Sequence, residues 1–349
     1  MKFHPRATLA IALALTGVLG AVSASAATGP TVKIIQGESY GFNVVTAIAS
    51  NGANVWVANS SGNSVTELDA STGAKVRLLH SSKFGFVGPA QLSDDGTHVW
   101  VANDAGNSVT ELMASTGALV SVIKGSTYKL HGTNLITSNG IDVWISNSRG
   151  TTLAEVSATT GSFVKDVKVS SLGLQKVDTL SSDSTHLWAV DGTANAVAEV
   201  NAASGSLVKV LKGAAYRFDG PLAITTDGTH VWVANERSNS ITEVNAKTGT
   251  FVRFIHGKSF ALDVVTAIAS NGSEIWATSI GIPLSSGNAV TEINASPLSA
   301  GGPVAVFRGA KYGFDYPNAI TYIGGRVWVA NGGSNTLTEL WFGRQITNR

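Results

Sequence analysis

The chain has 349 residues, 13% of them charged, a formal net charge of +1 and no cysteine. The length admits either two ordinary domains or one large closed β domain. The near-neutral charge lacks the basic footprint of a nucleic-acid binder, and the missing cysteine excludes disulfides, thiolate chemistry and Cys-ligated zinc.

Taken in order, the chain starts with a positive stretch at Lys2 and Arg6. A mostly apolar run follows from Leu9 to Val22, and then the small residues Ala24-Ser25-Ala26. This is the pattern of a secretory signal peptide cut after Ala26. Residues 1–26 are therefore expected to be a leader, and the mature chain to be secreted, periplasmic or part of the cell envelope. No later run is apolar and long enough to span a membrane as a helix.

From there one unit repeats. Val55-Trp56-Val57-Ala58-Asn59 is followed by Gly62-Asn63-Ser64-Val65-Thr66-Glu67-Leu68, and the anchoring tryptophans recur at Trp56, Trp100, Trp144, Trp188, Trp232, Trp276 and Trp328. In the first unit Thr46 to Ser50 is a short apolar run. Asn51-Gly52 predicts a type I′ hairpin turn, which needs φ > 0 at both central residues. Asn54 to Asn59, Ser64 to Asp69 and Lys75 to His80 read as three further strands, the last two joined by Ser71-Thr72-Gly73. Val55 and Val57 point to one face while Trp56 and Ala58 point to the other. A sheet apolar on both faces must be packed between two neighbours. The pattern predicts an all-β fold, a seven-bladed β-propeller with four antiparallel strands per blade. The blades are expected at about 45–80, 89–124, 133–169, 177–212, 221–256, 264–308 and 317–341 plus 31–36.

The ends decide between a ring and an open stack. Thr31 to Gln36 matches an outer strand. The last unit supplies only Asn318 to Tyr322, Arg326 to Asn331 and Thr336 to Trp341. The first mature strand should therefore complete the last blade, leaving no open edge between the ends. The sixth unit carries insertions at Ile280 to Ser286 and at Pro297 to Pro303.

The Val-Trp-Val-Ala-Asn, Asn-Ser-Val-Thr-Glu-Leu and Thr-Gly elements resemble the YVTN and NHL-type β-propeller repeats of exported bacterial proteins, over most of Thr31 to Trp341. That resemblance implies an extracytoplasmic interaction scaffold. Units such as Gly220-Pro221-Leu-Ala-Ile-Thr-Thr-Asp-Gly228 with Trp232 also resemble the streptogramin (virginiamycin B) lyases, which implies a lyase using His, Glu and magnesium. Those lyases carry an acidic residue where this chain has Asn59, Asn103, Asn147, Asp191, Asn235, Ser279 and Asn331.

Glu67, Glu111, Glu155, Glu199, Glu243, Glu292 and Glu339 recur in every unit, so they answer a need of every blade rather than of one site. Ligands for one ion must converge within about 2.5 Å of it, which third strands of separate blades cannot do. His98, His186 and His230 are spread in the same way. No nucleophile elbow, His-x-x-x-His or phosphate loop is present, so no catalytic residue is assigned.

Positions that vary from unit to unit are more informative. Those leading into the innermost strands include Asn43, His131, Gln175, Lys176, Asp219, Asp263, Asp315 and Tyr316, which should rim one mouth of the channel. Asp104, Arg149, Glu236 and Arg237 should emerge on the same face. The expected function is a non-enzymatic binding scaffold, its partner a protein, glycan or small molecule. A metal-dependent lyase or hydrolase and a surface-layer component are the alternatives. No cofactor is expected. The arc of Asp219, Asp263, Asp315 and Asn43 could take calcium, magnesium or a cationic group.

Overall fold

The computed structural model describes residues 29–50, 52–147, 151–281, 287–296 and 302–343. The leader, Arg149 and most of both sixth-unit insertions lie outside the described residues.

Seven four-stranded antiparallel sheets form the fold. In blade 1 the strands are Val45–Ser50 (inner), Asn54–Asn59 (second), Ser64–Asp69 (third) and Lys75–Leu79 (outer). Each inner strand touches those of the two adjacent blades, so the sheets stand around a central axis. The last blade contains Pro317–Ile323, Arg326–Asn331 and Thr336–Trp341, and its outer strand is Thr31–Ile35. Thr31 pairs with Trp341 and Ile35 with Leu337, antiparallel and in unbroken register. The expected closure is present.

The core lies in the gaps between blades. Trp56 and Ala58 pack against Val99 and Val101 of blade 2. Val55 and Val57 pack on the other side, against Trp328 and Ala330 of blade 7. Each tryptophan of the series is at most 1% exposed. Burying so large an indole is worth several kcal/mol, counted from the cost of truncating one. Trp341 stands outside the series; it is half-exposed and stacks under the Arg326 guanidinium.

The recurrent glutamates tie blades together. Glu67 pairs with Arg77 at 2.6 Å and Glu155 with Lys165 at 3.1 Å, each on the adjoining outer strand. The same cations then reach the next blade. Lys165 Nζ donates to Ala203 O at 3.0 Å, Lys209 Nζ to Gly249 O at 3.2 Å and an Arg253 nitrogen to Asn294 O at 2.7 Å. Lys33 makes the corresponding bond to Thr72 O and so bridges the seam. In these blades the buried carboxylate thus orients a long cation toward the turn carbonyls of its neighbour, whereas in blade 2 Glu111 accepts from Ser121 Oγ at 2.7 Å. The histidines stay local: His98 stacks edge-on against Trp100 and lies 3.6 Å from Glu111.

The Asx-Gly turns differ from the expected type I′ hairpin. Asn51 lies outside the described residues. In the equivalent turns only the glycine has positive φ, 84° at Gly140 and 86° at Gly272. Asn139 instead uses Oδ1 to accept the backbone N–H groups of Ile141 and Asp142, and Asn271 does the same for Ser273 and Glu274. These are Asx turns, in which the side chain supplies the cap. Two consecutive positive-φ residues, the type I′ requirement, occur in blade 7 at Gly324 and Gly325.

Candidate functional site

In a four-strand meander, the second-to-third connections and the outer-to-inner connections share one end of the blade. That end carries every rim residue expected from the sequence. Its framework is held by two columns of asparagine.

The first column ends the tryptophan strands. Asn59, Asn103, Asn235 and Asn331 are fully buried. Asn103 Nδ2 donates to Thr110 Oγ1 at 3.0 Å on the third strand. In three blades the carboxamide oxygen accepts a rim backbone N–H: Asn147 Oδ1 from His131 at 3.0 Å, Asn235 Oδ1 from Asp219 at 3.2 Å and Asn331 Oδ1 from Asp315 at 3.4 Å. Blade 4 has Asp191 here. Its carboxylate accepts four backbone N–H groups, from Gln175, Lys176, Thr193 and Ala194. In blades 3, 4, 5 and 7 the column's oxygens are thus taken up by backbone, whereas the buried Oδ1 atoms of Asn59 and Asn103 have no protein partner.

The second column lies in the connection after the tryptophan strand. Asn63, Asn107, Asn195 and Asn239 all have left-handed φ, between 44° and 49°. Asparagine tolerates that region better than other side chains. Each reaches the next blade: Asn63 Oδ1 accepts Gly88 N at 2.8 Å, Asn107 accepts Gly132 N at 2.6 Å, Asn195 accepts Gly220 N at 2.8 Å and Asn239 accepts Val264 N at 2.9 Å. Asn335 reaches Val45 N at 3.3 Å and so spans the seam.

Inside the rim, the inner strands enclose a cavity of about 300 Å³. The sequence pattern did not reveal that each inner strand except that of blade 4 carries a β-bulge at its first turn, skipping Thr46, Ala90, Asn134, Leu222, Thr266 and Asn318. A bulge re-aims its side chain. Thr46 Oγ1 donates to Pro89 O at 3.0 Å and Asn318 Nδ2 to Val45 O at 2.8 Å, each across a blade gap. The buried Oδ1 atoms of Asn134 and Asn318 have no protein partner.

Around this mouth Asn43, His131, Gln175, Lys176 and Tyr316 are exposed, and Asp219, Asp263 and Asp315 are half-buried. Lys176 pairs with Asp178 at 2.9 Å. Asn239 Nδ2 donates to an Asp263 oxygen at 3.2 Å. The rim residues come from separate blades. Among the described residues no group of three or more His, Asp or Glu side chains is placed to share one metal ion.

No protein-family model matches the chain, and no curated protein sequence matches it. Solved structures do. The RRP9 WD40 repeats align with a TM-score of 0.72 at 11% identity, over 89% of this chain and 98% of that one. Virginiamycin B lyase from Staphylococcus aureus gives 0.68 at 15% identity, over 89% and 99%. A streptogramin B lyase gives 0.66 at 19% identity, over 90% and 98%. Likeness at these identities establishes a shared β-propeller fold, common to WD40 repeats and to lyases, and fold alone does not transfer chemistry.

Proposed function

We propose that the chain is an exported, non-enzymatic binding module whose ligand surface is the channel-mouth face. The observation that carries this reading is a division of labour within the same connections. The first asparagine column fastens each blade's own strands and entry connection, and the second holds blade to blade. The positions between them vary around the ring: Asn43, His131 and Gln175 in blades 1, 3 and 4 give way to Asp219, Asp263 and Asp315 in blades 5 to 7, with Lys176 and Tyr316 beside them; Asn43, His131, Gln175, Lys176 and Tyr316 are exposed and the aspartates half-buried. A rim that repeated would serve the scaffold; one that varies on a fixed frame is free to suit a ligand.

Other features agree. The leader pattern supports export. Solved structures of similar shape include a chain of the mitotic checkpoint complex, an assembly of proteins, at a TM-score of 0.68 and 15% identity. This favours a protein partner over a glycan or small molecule. The Asp219–Asp263–Asp315 arc faces a cationic group. Without a third convergent ligand on the described rim, the arc suits a partner's ammonium or guanidinium better than a bare calcium or magnesium ion. A lyase would require His131 to act with a carboxylate across the mouth, and the bond its connection makes is a backbone one to Asn147.

Affinity capture from a cell-envelope extract tests the reading, with the intact rim compared with an Asp219→Ser/Asp315→Ser variant. The expected result is a captured protein that the variant loses while melting at the same temperature. Identical captures from both proteins, or metal-dependent opening of a cyclic depsipeptide lactone, would overturn it.

A further inference from the structure

Three consecutive blades hold large side chains at the channel mouth in a backbone conformation suited to glycine. The rim residue before the inner strand is Gly88, Gly132 and Gly220 in blades 2, 3 and 5, with φ of 62°, 67° and 62°. In blades 6, 7 and 1 it is Val264, Tyr316 and Val44, with φ of 52°, 50° and 53°. Glycine takes this region without a Cβ clash, whereas a β-branched valine there is a genuine outlier. Glycine serves the frame in blades 2, 3 and 5, and blade 4 has Lys176 without the left-handed φ. The strain in blades 6, 7 and 1 is therefore kept for the side chains themselves.

The facing connection gives way in blade 7. Opposite Tyr316 the sequence has Gly333, where blades 2 and 5 have Ala105 and Arg237. In blade 5 a Cβ on Gly220 would lie 2.8 Å from Arg237 Cγ, so the facing connection fills that space. In blade 7 a Cβ on Gly333 would lie 2.7 Å from the Asp315 carboxylate, so the space is left to the rim. Two of the three side chains gained stand in solvent: Val44 is 46% exposed and Tyr316 38%, while Val264 is half-buried; Val87 of blade 2 extends the arc at 46%. Beside them stand Asp263, Asp315 and the Asn43 amide. The cations of those connections, Lys258 and Lys311, come earlier, on the 3-10 turns next to the outer strands.

Resting on the binding reading above, we propose that this arc, from blade 6 through blade 7 to blade 2, docks a short polypeptide segment in which apolar side chains alternate with lysine or arginine. The apolar groups cover Val44, Tyr316 and Val87, and the cations reach Asp263 and Asp315. Carboxylates bordering an apolar surface select a cationic partner and reject an acidic one.

Fluorescence anisotropy with labelled synthetic peptides of about twelve residues tests this. One alternates Leu and Lys, one Leu and Glu, one Ser and Lys. The Leu–Lys peptide should bind saturably, at least about tenfold more tightly than the other two. A Val44→Gly/Val264→Gly/Tyr316→Gly variant should lose at least about tenfold in that affinity while melting at an equal or higher temperature, because glycine relieves the strain. Equal binding of the Ser–Lys peptide overturns the proposal, as does unchanged affinity or a lower melting temperature in the variant. If no peptide binds while the Asp219→Ser/Asp315→Ser variant still loses its captured protein, the peptide chemistry is wrong and the binding module stands.

Discussion

At the scale of single residues, the buried glutamates set a pH dependence. Burial pushes the Glu67 carboxyl up to about 7, with the Arg77 guanidinium offsetting part of the rise. Burial likewise raises Glu155, Glu199 and Glu339, against the opposing charges of Lys165, His186 and Arg326. A carboxyl raised on folding binds more protons in the folded chain than in the unfolded one. Stability is then fully present below the unfolded value and is lost as pH rises through the folded one. For Glu67 that window runs from about 4.5 to about 7. Urea melts between pH 5 and pH 8 should show stability falling with pH, and Glu67→Gln should remove about 1–3 kcal/mol of that fall. A rise with pH would mean that the pair with Arg77 outweighs burial. The recurrence of these glutamates was legible in the sequence, and so was their structural role. Their cations and the carbonyls beyond were not, because those partners lie on another strand and another blade.

At the scale of elements, the connections explain both what the repeat foretold and what it hid. Strand ends agree with the pattern within a residue or so, because period-two alternation and turn residues are local signals. The turn type was not legible: Asn-Gly suits type I′ and an Asx turn equally, and the three-residue spacing of the strands favours the second. The left-handed asparagines were invisible for a different reason. In the sequence Asn107 is one turn residue among several; in the structure it is a clasp between blades, holding Gly132 N. Asn107→Gly keeps the backbone relaxed and deletes only that bond, so it should cost about 1 kcal/mol. Asn107→Ala adds left-handed strain and should cost about 1 kcal/mol more. Chemical denaturation of the two variants side by side separates the terms; equal costs would show that φ is not strained by alanine there.

For the whole molecule, the tryptophan spacing and the unmatched first strand were enough to infer a closed ring. The site was less legible: its variable positions could be picked out, but the left-handed φ of Val44, Val264 and Tyr316 could not, since nothing in a lone sequence distinguishes a strained valine from a relaxed one. Closure itself can be tested covalently. Thr31 and Trp341 are register partners at the exposed edge of the seam. In this cysteine-free chain, Thr31→Cys/Trp341→Cys should form one disulfide on mild oxidation, and the chain-entropy estimate for so long a loop allows up to about 5 kcal/mol of added stability. Failure of the two thiols to react in the folded protein would reopen the ring. The seam also dictates a timetable. Among the described strands Thr31–Ile35 leaves the ribosome first and Thr336–Trp341, its partner, last. Until synthesis reaches that final segment, the earliest strand has no neighbour and the face of Val55 and Val57 has no Trp328 to cover it. A nascent chain of this design must therefore be kept from premature association until the last blade is made.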